Sequence, residues 1–421
     1  MDYFRTLPND QIIKIALNLD IKDINYYCQI NSKFKQLICN SNWFWNQKFI
    51  IDYGLLPTIN DIPQYYRINN IIEWKQVYQN YGTIYGFGYN YRGNLGLGHT
   101  NGKKMPTKVP NLKAREISCG RYHTMIIDFN NHIWGMGDGT HGQLGLNNIS
   151  DKNTPTKLSN IKAKHIYCGK YHTMIIDLEN NIYAMGDNDN GQLGLSDTVK
   201  KLIPTQLSNI KGQSISCGSK HSIIIDYENN IWGMGNNDYG QLGLPNKGNF
   251  LVPTKLSDMK AQLVSCGSYC TIIIDLENNI WVMGWNHLGQ LGLDNTIIPT
   301  LTRISNIKAR DISCGGSHMV IIDIENNIWV IGSNEYDQLG LGANKNIFPL
   351  TKLPNRKARK VSCGEDFTIF IDMENNVWSM GYNLSGQLGL GNENNQLLPT
   401  KIPNINARLI SCGEDYTIII Q

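Results

Sequence analysis

The stretch Ile215–Leu244, ISCGSKHSIIIDYENNIWGMGNNDYGQLGL, decides the fold of this 421-residue chain. Its two runs of mainly β-branched and aromatic residues, at 221–226 and 230–235, predict short buried strands. Glu228-Asn229-Asn230 lies between them and predicts a tight hairpin, because Asn tolerates positive φ. Gly240-Gln241-Leu242-Gly243 then predicts a glycine-rich turn before the next strand.

Three markers of this stretch recur along the chain at steps of 48 or 49 residues. They are a Cys-Gly pair, the first Leu of a Gly-Gln-Leu-Gly-Leu motif, and an aromatic residue close to a Gly. The cysteines are Cys119, Cys168, Cys217, Cys266, Cys314, Cys363 and Cys412. Self-similarity at a fixed period indicates a repeat architecture, and the three markers agree on seven copies.

Each copy predicts four short strands, since a Pro-Thr-Lys-Leu segment follows the Gly-rich turn as an edge strand. Four strands per copy are typical of a β-propeller blade. The last copy ends at Thr417–Gln421, after its second strand, and the first begins at Thr83 with the missing third strand. We therefore expect a mainly β fold, a seven-bladed propeller over residues 83–421 closed by a composite blade.

These motifs resemble the regulator of chromosome condensation repeat family. The resemblance rests on Gly-Gln-Leu-Gly-Leu, Cys-Gly-x-x-His-Thr and Trp-x-Met-Gly, and it covers residues 83–421. It implies the same propeller fold. It also implies two possible activities: nucleotide exchange on a Ran-type GTPase, and chromatin association. The near-uniform repeat length leaves no room for the wedge insertion that exchange would use.

Residues 1–49 lack the repeat and predict helices, with Leu7-Pro8 at the first start and a break near Asp20. Their order and spacing resemble an F-box, with departures at Asn31 and Trp43-Phe44-Trp45. The resemblance implies docking on a Skp-type adaptor of a cullin ubiquitin ligase. The residues expected to face that adaptor are Leu7, Pro8, Ile12, Ile15 and Ile24. Residues 50–82 are expected to form a linker and connecting helix.

Composition excludes several classes of protein. The net charge of +3 is too small to predict strong nucleic-acid binding, and no apolar run reaches the length of a membrane span. The N-terminus lacks a signal-peptide pattern, so we expect an intracellular protein of the cytoplasm or nucleus whose cysteines are mostly reduced thiols. The Asn- and Ile-rich composition, with the domain combination, resembles proteins of large DNA viruses of amoebae, which would place the protein in the host cell or virion.

No catalytic or cofactor motif stands outside the repeats. Histidines follow four of the Cys-Gly pairs, at His123, His172, His221 and His318, but no four-ligand metal spacing occurs. A structural role for these histidines is favoured. We expect a non-enzyme without metal or cofactor.

Recognition is expected in the parts of each copy that vary. The residue before the Gly-Gln-Leu turn differs among copies, and the loops 147–154, 196–203, 245–252 and 343–348 vary in length and content. Candidate partner-binding residues are Arg92, His141, Tyr239, Leu288 and Tyr336. A recurring basic position and the hairpin Glu residues are expected on one mixed, solvated rim.

Three functions remain open at this point. The first is a non-enzymatic adaptor that recruits a target protein to a Skp/cullin ligase. The second is a self-associating structural scaffold, one form of which would be a viral scaffold that encloses nucleic acid. The third is guanine nucleotide exchange on a Ran-type GTPase. The sequence does not identify the target, the binding face or the oligomeric state.

Overall fold

The computed structural model of the chain describes residues 7–53, 67–68, 71–72, 74–342 and 348–421. The chain divides into two compact units, Met1–Tyr81 and Gly82–Gln421. The predicted boundaries at 49/50 and 82/83 stay predictions. The helix Asn42–Tyr53 continues past residue 49.

The N-terminal unit is largely helical. Its elements are α1 (Asn9–Asn18), α2 (Ile21–Ile30), α3 (Ser32–Phe34), a π-helical turn (Lys35–Cys39), α4 (Asn42–Tyr53), β1 (Arg67–Ile68), β2 (Ile71–Ile72) and α5 (Trp74–Asn80). Asp20 caps α2, because its carboxylate accepts hydrogen bonds from the N–H groups of Lys22 and Asp23. The core of the unit contains Phe44, Trp45 and other fully buried side chains.

A disulfide joins Cys28 to Cys39 in this unit. The expectation of reduced thiols is therefore wrong for this pair, whose spacing of 11 residues gave no recognisable signal in the sequence. Helix α2 and the π-helical turn bring the two sulfurs together. The other eight cysteines are free, as expected.

The second unit consists of strands. They are β3 (Thr83–Gly88), β4 (Lys103–Lys113), β5 (Glu116–Cys119), β6 (His123–Ile127), β7 (His132–Gly137), β8 (Lys152–Cys168), β9 (His172–Asp177), β10 (Asn181–Gly186), β11 (Lys201–Cys217), β12 (His221–Asp226), β13 (Asn230–Asn236), β14 (Asn249–Cys266), β15 (Cys270–Asp275), β16 (Ile280–Trp285), β17 (Ile297–Arg303), β18 (Ala309–Cys314), β19 (His318–Asp323), β20 (Asn327–Gly332), β21 (Phe348–Cys363), β22 (Phe367–Asp372), β23 (Asn376–Gly381), β24 (Gln396–Asn406), β25 (Leu409–Cys412) and β26 (Tyr416–Ile420).

These strands pair antiparallel in groups of four, one group for each predicted copy in the described part of the chain. The long strands each take part in two consecutive groups, and they are β8, β11, β14 and β21. For example, β11 pairs with β10 through residues 201–211 and with β12 through residues 212–217. One strand thus ends one group and begins the next, which holds neighbouring groups together through the main chain.

In six of the seven copies an Asp at the end of the second strand fixes the hairpin that follows. Asp226 accepts hydrogen bonds from the N–H groups of Glu228 and Asn230 and from Trp232 Nε1. Asn229 has φ of 62°, which confirms the expected use of Asn at this position. Burial would raise the pKa of Asp226, but hydrogen bonds from Asn230 and Trp232 outweigh it and lower the pKa.

Neighbouring groups are also joined by side chains near the Cys-Gly pairs. The Nε2 atom of His172 lies 2.8 Å from Ser222 Oγ in the next group, and Ser222 Oγ donates onward to the carbonyl of Gln192. His123, His221 and His318 make the same bridge to a Thr. A Cβ on Gly169 would lie 2.2 Å from the His172 ring, so this position requires Gly.

The first and last copies contact each other directly. Strand β26 pairs with β3, which produces the four-stranded order β25-β26-β3-β4. Tyr416, which stands where four other copies have His, accepts a hydrogen bond from Thr124 Oγ1 at 3.0 Å and donates to the carbonyl of His123. The same kind of bridge that links successive copies therefore links the last to the first.

The buried histidines make stability fall in mild acid. Burial lowers the pKa of His123 and His221 to about 4 and that of His172 and His318 to about 3. In the unfolded chain these histidines bind a proton near pH 6.5, whereas in the folded protein they stay neutral until a much lower pH. The free energy of unfolding should therefore fall by about 3 kcal/mol for each His as the pH drops from 6.5 to 4.

We predict that His221→Gln loses less stability over this pH range than the wild type, as measured by denaturant titration at each pH. His287→Gln, at an exposed position, is the matched control and should follow the wild-type slope. Equal slopes for all three proteins would contradict the prediction.

Candidate protein-binding face

One end of the second unit carries two kinds of connection. The Cys-Gly turn joins the first and second strands of a group, and the Gly-Gln-Leu loop joins the third and fourth. They lie at the same end because His221, at the start of β12, pairs with Gly235, at the end of β13. We call this end the Cys-Gly face and the opposite end, which carries the Asn-containing hairpins, the hairpin face.

The loop residues predicted from their variability lie on the Cys-Gly face. His141, Tyr239, Leu288 and Tyr336 each donate a main-chain N–H to the side-chain oxygen of the Gln two residues later. The Gln side chains thereby fix the loop backbone. The variable side chain takes no part in that bond, so its identity does not affect the loop conformation. Arg92 differs, because its guanidinium pairs with Asp151 at 3.1 Å. Residues 343–347 of the fourth predicted loop lie outside the described residues.

Aromatic neighbours join these loop residues into clusters that the sequence reading missed. His141 lies 4.7 Å from Tyr171 between ring centroids, and Tyr336 lies 5.1 Å from Tyr382. A third cluster runs through Tyr239, Tyr269, Trp285 and His287. Tyr171 and Tyr269 stand just after a Cys-Gly pair, and Trp285 and Tyr382 stand at or just after the end of a third strand. His287 lies in the loop that follows Trp285. The residue types at these positions differ from copy to copy, and that variation was the signal in the sequence that could have identified them.

A cation connects copies at the centre of this face. Arg121 Nε lies 2.6 Å from Glu414 Oε2, and Lys170 Nζ lies 3.4 Å from the same oxygen. The Arg121 guanidinium also lies 4.9 Å from the ring centroid of Tyr122 and 5.6 Å from that of Tyr171. A cavity of about 120 Å³ opens here, lined by Cys-Gly residues of all seven copies.

The cysteines in this cavity are structural. Cys168 Sγ donates to the carbonyl of Ser118 at 3.3 Å, and its N–H donates to Ser118 Oγ. Burial raises the pKa of Cys168 and Cys363 to about 12. Because the thiolate is the reactive form, these thiols are unreactive at neutral pH.

The Cys-Gly face is more acidic than the chain as a whole. We count the two residues after each Cys-Gly pair and the four before each Gly-Gln-Leu loop or its equivalent. Four basic minus nine acidic residues give these positions a net charge of −5, whereas the whole chain carries +3. The basic residues are Arg92, Arg121, Lys170 and Lys220. The nine acidic residues are Asp138, Asp187, Asp189, Asp238, Glu335, Glu365, Asp366, Glu414 and Asp415. Such a surface favours partners of positive charge.

Three of these carboxyl groups are poorly solvated. Burial, with added repulsion from Glu365, raises the pKa of Asp366 to about 6. Burial and the charge of Glu414 raise the pKa of Asp415 to about 6, and burial also raises the pKa of Glu365. Asp366 and Asp415 each accept a hydrogen bond from a loop Gln, Gln338 and Gln387.

The recurring basic residues near the hairpin face are engaged by the main chain. Arg115 donates to the carbonyls of Ala163 and Lys164 in the next copy, and Arg408 of the last copy donates to the carbonyl of Arg115 in the first. Lys211 Nζ donates to the carbonyl of Glu179. The two arginines join neighbouring copies, whereas Lys211 joins two strands of one copy, in keeping with the mixed rim.

No group of three or more His, Cys, Asp or Glu side chains among the described residues is placed to hold a metal ion. The four histidines that raised the question of a metal bind a hydroxyl group instead. No helix in the described part of the chain is both long and apolar enough to span a membrane.

The five residues predicted to face an adaptor differ in how far they are buried. Ile12 and Ile24 are fully buried in the core of the N-terminal unit. Leu7 and Ile15 are partly buried against that core, and Pro8 is exposed before α1. The order of apolar residues in the sequence could not separate core positions from surface positions.

Comparison with family models matches residues 76–309 to the RCC1-like domain. Residues 325–371 and 374–420 match the regulator of chromosome condensation (RCC1) repeat, and a second model of that repeat matches 309–338 and 358–387. The chain belongs to the RCC1-like domain family. The predicted repeat family is thereby confirmed, and the matched ranges begin at residue 76.

Solved structures with the same fold have low sequence identity to this RCC1-like chain. Human WBSCR16 is 20% identical with a TM-score of 0.71, covering 80% of this chain and 98% of its own. Yeast RCC1 (Prp20), solved with Kap60, is 19% identical with a TM-score of 0.74, covering 81% and 90%. Prp20p from Saccharomyces cerevisiae, in a study of its binding to Gsp1p and histones, is 20% identical with a TM-score of 0.73, covering 82% and 93%.

These likenesses confirm a mainly β, RCC1-like propeller fold for the second unit. Comparison with curated proteins finds no match. The F-box resemblance of residues 1–49 and the viral resemblance stay predictions.

The Arg121–Glu414 pair should contribute to the contact between the first and last copies. Because both side chains are only partly exposed, we predict a coupling energy of about 1 kcal/mol from a double-mutant cycle of Arg121→Gln and Glu414→Gln. The control cycle uses Lys104→Gln and Glu393→Gln, a pair whose side chains are about half exposed, where about 0.3 kcal/mol is expected. Equal coupling in the two cycles would argue against a special role for Arg121.

Proposed function

We propose that this protein is a non-enzymatic adaptor. Its Cys-Gly face binds a target protein, and its N-terminal helical unit docks a Skp-type adaptor of a cullin ubiquitin ligase. The observation that carries the proposal is the surplus of aromatic side chains on the Cys-Gly face. Its 42 counted positions hold nine Tyr or Trp, whereas aromatic residues are 10% of the chain. Tyr and Trp are enriched at the centres of protein interfaces.

The proposal takes the seven four-stranded groups as the blades of one closed ring. It is supported by the pairing of β26 with β3 and by the bridge from Tyr416 to Thr124. The cavity lined by all seven Cys-Gly pairs fits the central channel of such a ring. A closed ring presents the variable loops on one rigid face, which lowers the entropy lost when a partner binds.

The helical unit supports the adaptor role through its exposed apolar surface. Tyr26, Ile30, Trp43 and Ile51 are each 55% to 58% exposed. An apolar surface of this kind on a small unit is typical of an interaction site. With Ile12 and Ile24 in the core, the docking surface of the F-box-like motif would consist of Leu7, Pro8 and Ile15.

A second candidate is nucleotide exchange on a Ran-type GTPase. The solved structure of Prp20p, which belongs to a study of binding to Gsp1p, has the same fold with a TM-score of 0.73. At 20% identity this likeness supports a shared fold, and exchange activity has to be tested by experiment. Release of labelled GDP from a Ran-type GTPase in the presence of the full chain would reveal exchange.

The adaptor role predicts a one-to-one complex with a Skp-type adaptor, measured as the mass of the mixture by light scattering. Pro8→Ser/Ile15→Lys should weaken this complex about tenfold or more, because it removes apolar contact and adds a charge at the docking surface. Leu178→Ser, an exposed apolar position in a hairpin of the second unit, is the control and should bind like the wild type.

Two outcomes would overturn the ligase role. One is a mass for the mixture equal to that of the separate proteins. The other is a large homo-oligomer that is indifferent to the adaptor, which would identify the protein as a self-associating scaffold and make nucleic acid the next ligand to test.

A further inference from the structure

The Cys-Gly face contains one site where an arginine of this chain is held by tyrosines and a carboxylate. The guanidinium of Arg121 lies over the rings of Tyr122 and Tyr171, donates to the Tyr171 hydroxyl and pairs with Glu414. A cation over aromatic faces gains from the ring quadrupole, and the paired carboxylate fixes its orientation. This surface therefore already holds one guanidinium, by tyrosine rings and a carboxylate.

A second place on the same face also combines tyrosine rings with carboxylates. The rings of Tyr336 and Tyr382 meet edge to face, with centroids 5.1 Å apart. The N–H of Tyr382 donates to the carbonyl of Asp366, and the charges of Asp366 and Asp415 both act on the Tyr382 hydroxyl. Glu335, next to Tyr336, is exposed and adds to the field at Asp366. We call Glu335, Tyr336, Asp366, Tyr382 and Asp415 the Tyr336–Tyr382 patch.

The copies that form this patch lack the basic residue of the first two. The position of Arg121 and Lys170 in the repeat is held by Gly316, Glu365 and Glu414 in copies five to seven. Among the described residues, no Lys or Arg lies within ion-pair distance of Glu335, Asp366 or Asp415. The patch therefore keeps a surplus of negative charge beside two partly exposed tyrosine rings.

We propose that the Tyr336–Tyr382 patch binds an arginine side chain from a basic segment of a partner protein. The partner's guanidinium takes the place that Arg121 occupies in the first copies, over a tyrosine ring and against a carboxylate. This inference rests on the proposed target-binding role of the Cys-Gly face and names the chemistry of the target. Like charge excludes a nucleic-acid backbone from the same patch.

The apolar surroundings suit an extended peptide. Leu384 is 61% exposed and lies two residues from Tyr382, so it offers contact to the stem of an arginine or to a flanking apolar residue. The carboxyl groups of Asp366 and Asp415 are already partly desolvated, as their raised pKa values show. Less of their hydration therefore remains to be lost when a cation binds.

The test measures binding of the full-length protein to a labelled Gly/Ser peptide that contains several arginines, by fluorescence anisotropy. The matched probe carries citrulline, which has nearly the same shape and no charge, in place of each arginine. The arginine peptide should bind and the citrulline peptide should bind at least about tenfold more weakly. Equal binding of the two peptides would overturn the proposal.

Variants locate the site. Tyr382→Ala and Glu335→Gln/Asp366→Asn should each weaken arginine-peptide binding about tenfold, whereas Tyr382→Phe should retain it, because the aromatic ring is what binds the cation. Tyr91→Ala removes a tyrosine that is 71% exposed elsewhere on the same face and is the control. Thermal melting checks that each variant is folded. Wild-type affinity in folded Tyr382→Ala would overturn the assignment.

This experiment is separate from the test of the ligase role. If the Skp-type adaptor fails to bind while the arginine peptide binds at the patch, the ligase role falls and the patch stands. If the adaptor binds but the arginine peptide does not, the patch assignment falls and the target is recognised elsewhere on the face.

Discussion

The structure of the second unit depends on hydrogen bonds that cross from one copy to the next. The hydroxyl of Ser118 accepts from the N–H of Cys168, and the corresponding Ser–Cys pairs recur, including Ser411 with Cys119 between the last copy and the first. A short four-stranded group cannot bury both of its faces alone, so its stability comes from its neighbours. These bonds fix how each group is rotated against the next, and with it the position of every loop.

The same constraint explains where variation is tolerated. The strand interiors and the histidine bridges take part in contacts between copies, and the Asp residues hold each hairpin within its own copy. The positions after Cys-Gly and before Gly-Gln-Leu lie outside the buried strand core, and the Gln side chain holds the loop through its main chain. Contacts between copies at these positions, such as Arg121 with Glu414, are made at the surface. Their side chains can therefore differ without cost to the core. The acidic and aromatic character of the Cys-Gly face is built entirely from such positions.

Exceptions to the repeat are as informative as the repeat itself. Tyr416 replaces a histidine and reaches Thr124 across the junction of the chain ends. Cys270 replaces another, and Met319 stands where the bridging hydroxyl would be, so an apolar contact replaces a hydrogen bond between those copies. The partner position has changed only in the second case, because the Tyr416 hydroxyl can still bond the usual Thr whereas Cys270 faces an apolar residue.

The repeat, its strands and its hairpins could be predicted from the sequence, because strand periodicity, turn chemistry and a fixed spacing are local properties. The sequence also located the variable loop residues Tyr239 and Tyr336. Only the tertiary structure decided which side chains meet: Tyr336 with Tyr382, Arg121 with Glu414, and Ile12 and Ile24 with the core of their own unit. Those partners lie in different copies or on different helices, and sequence spacing carries no information about distance across such junctions. The Cys28–Cys39 disulfide was missed for the same reason.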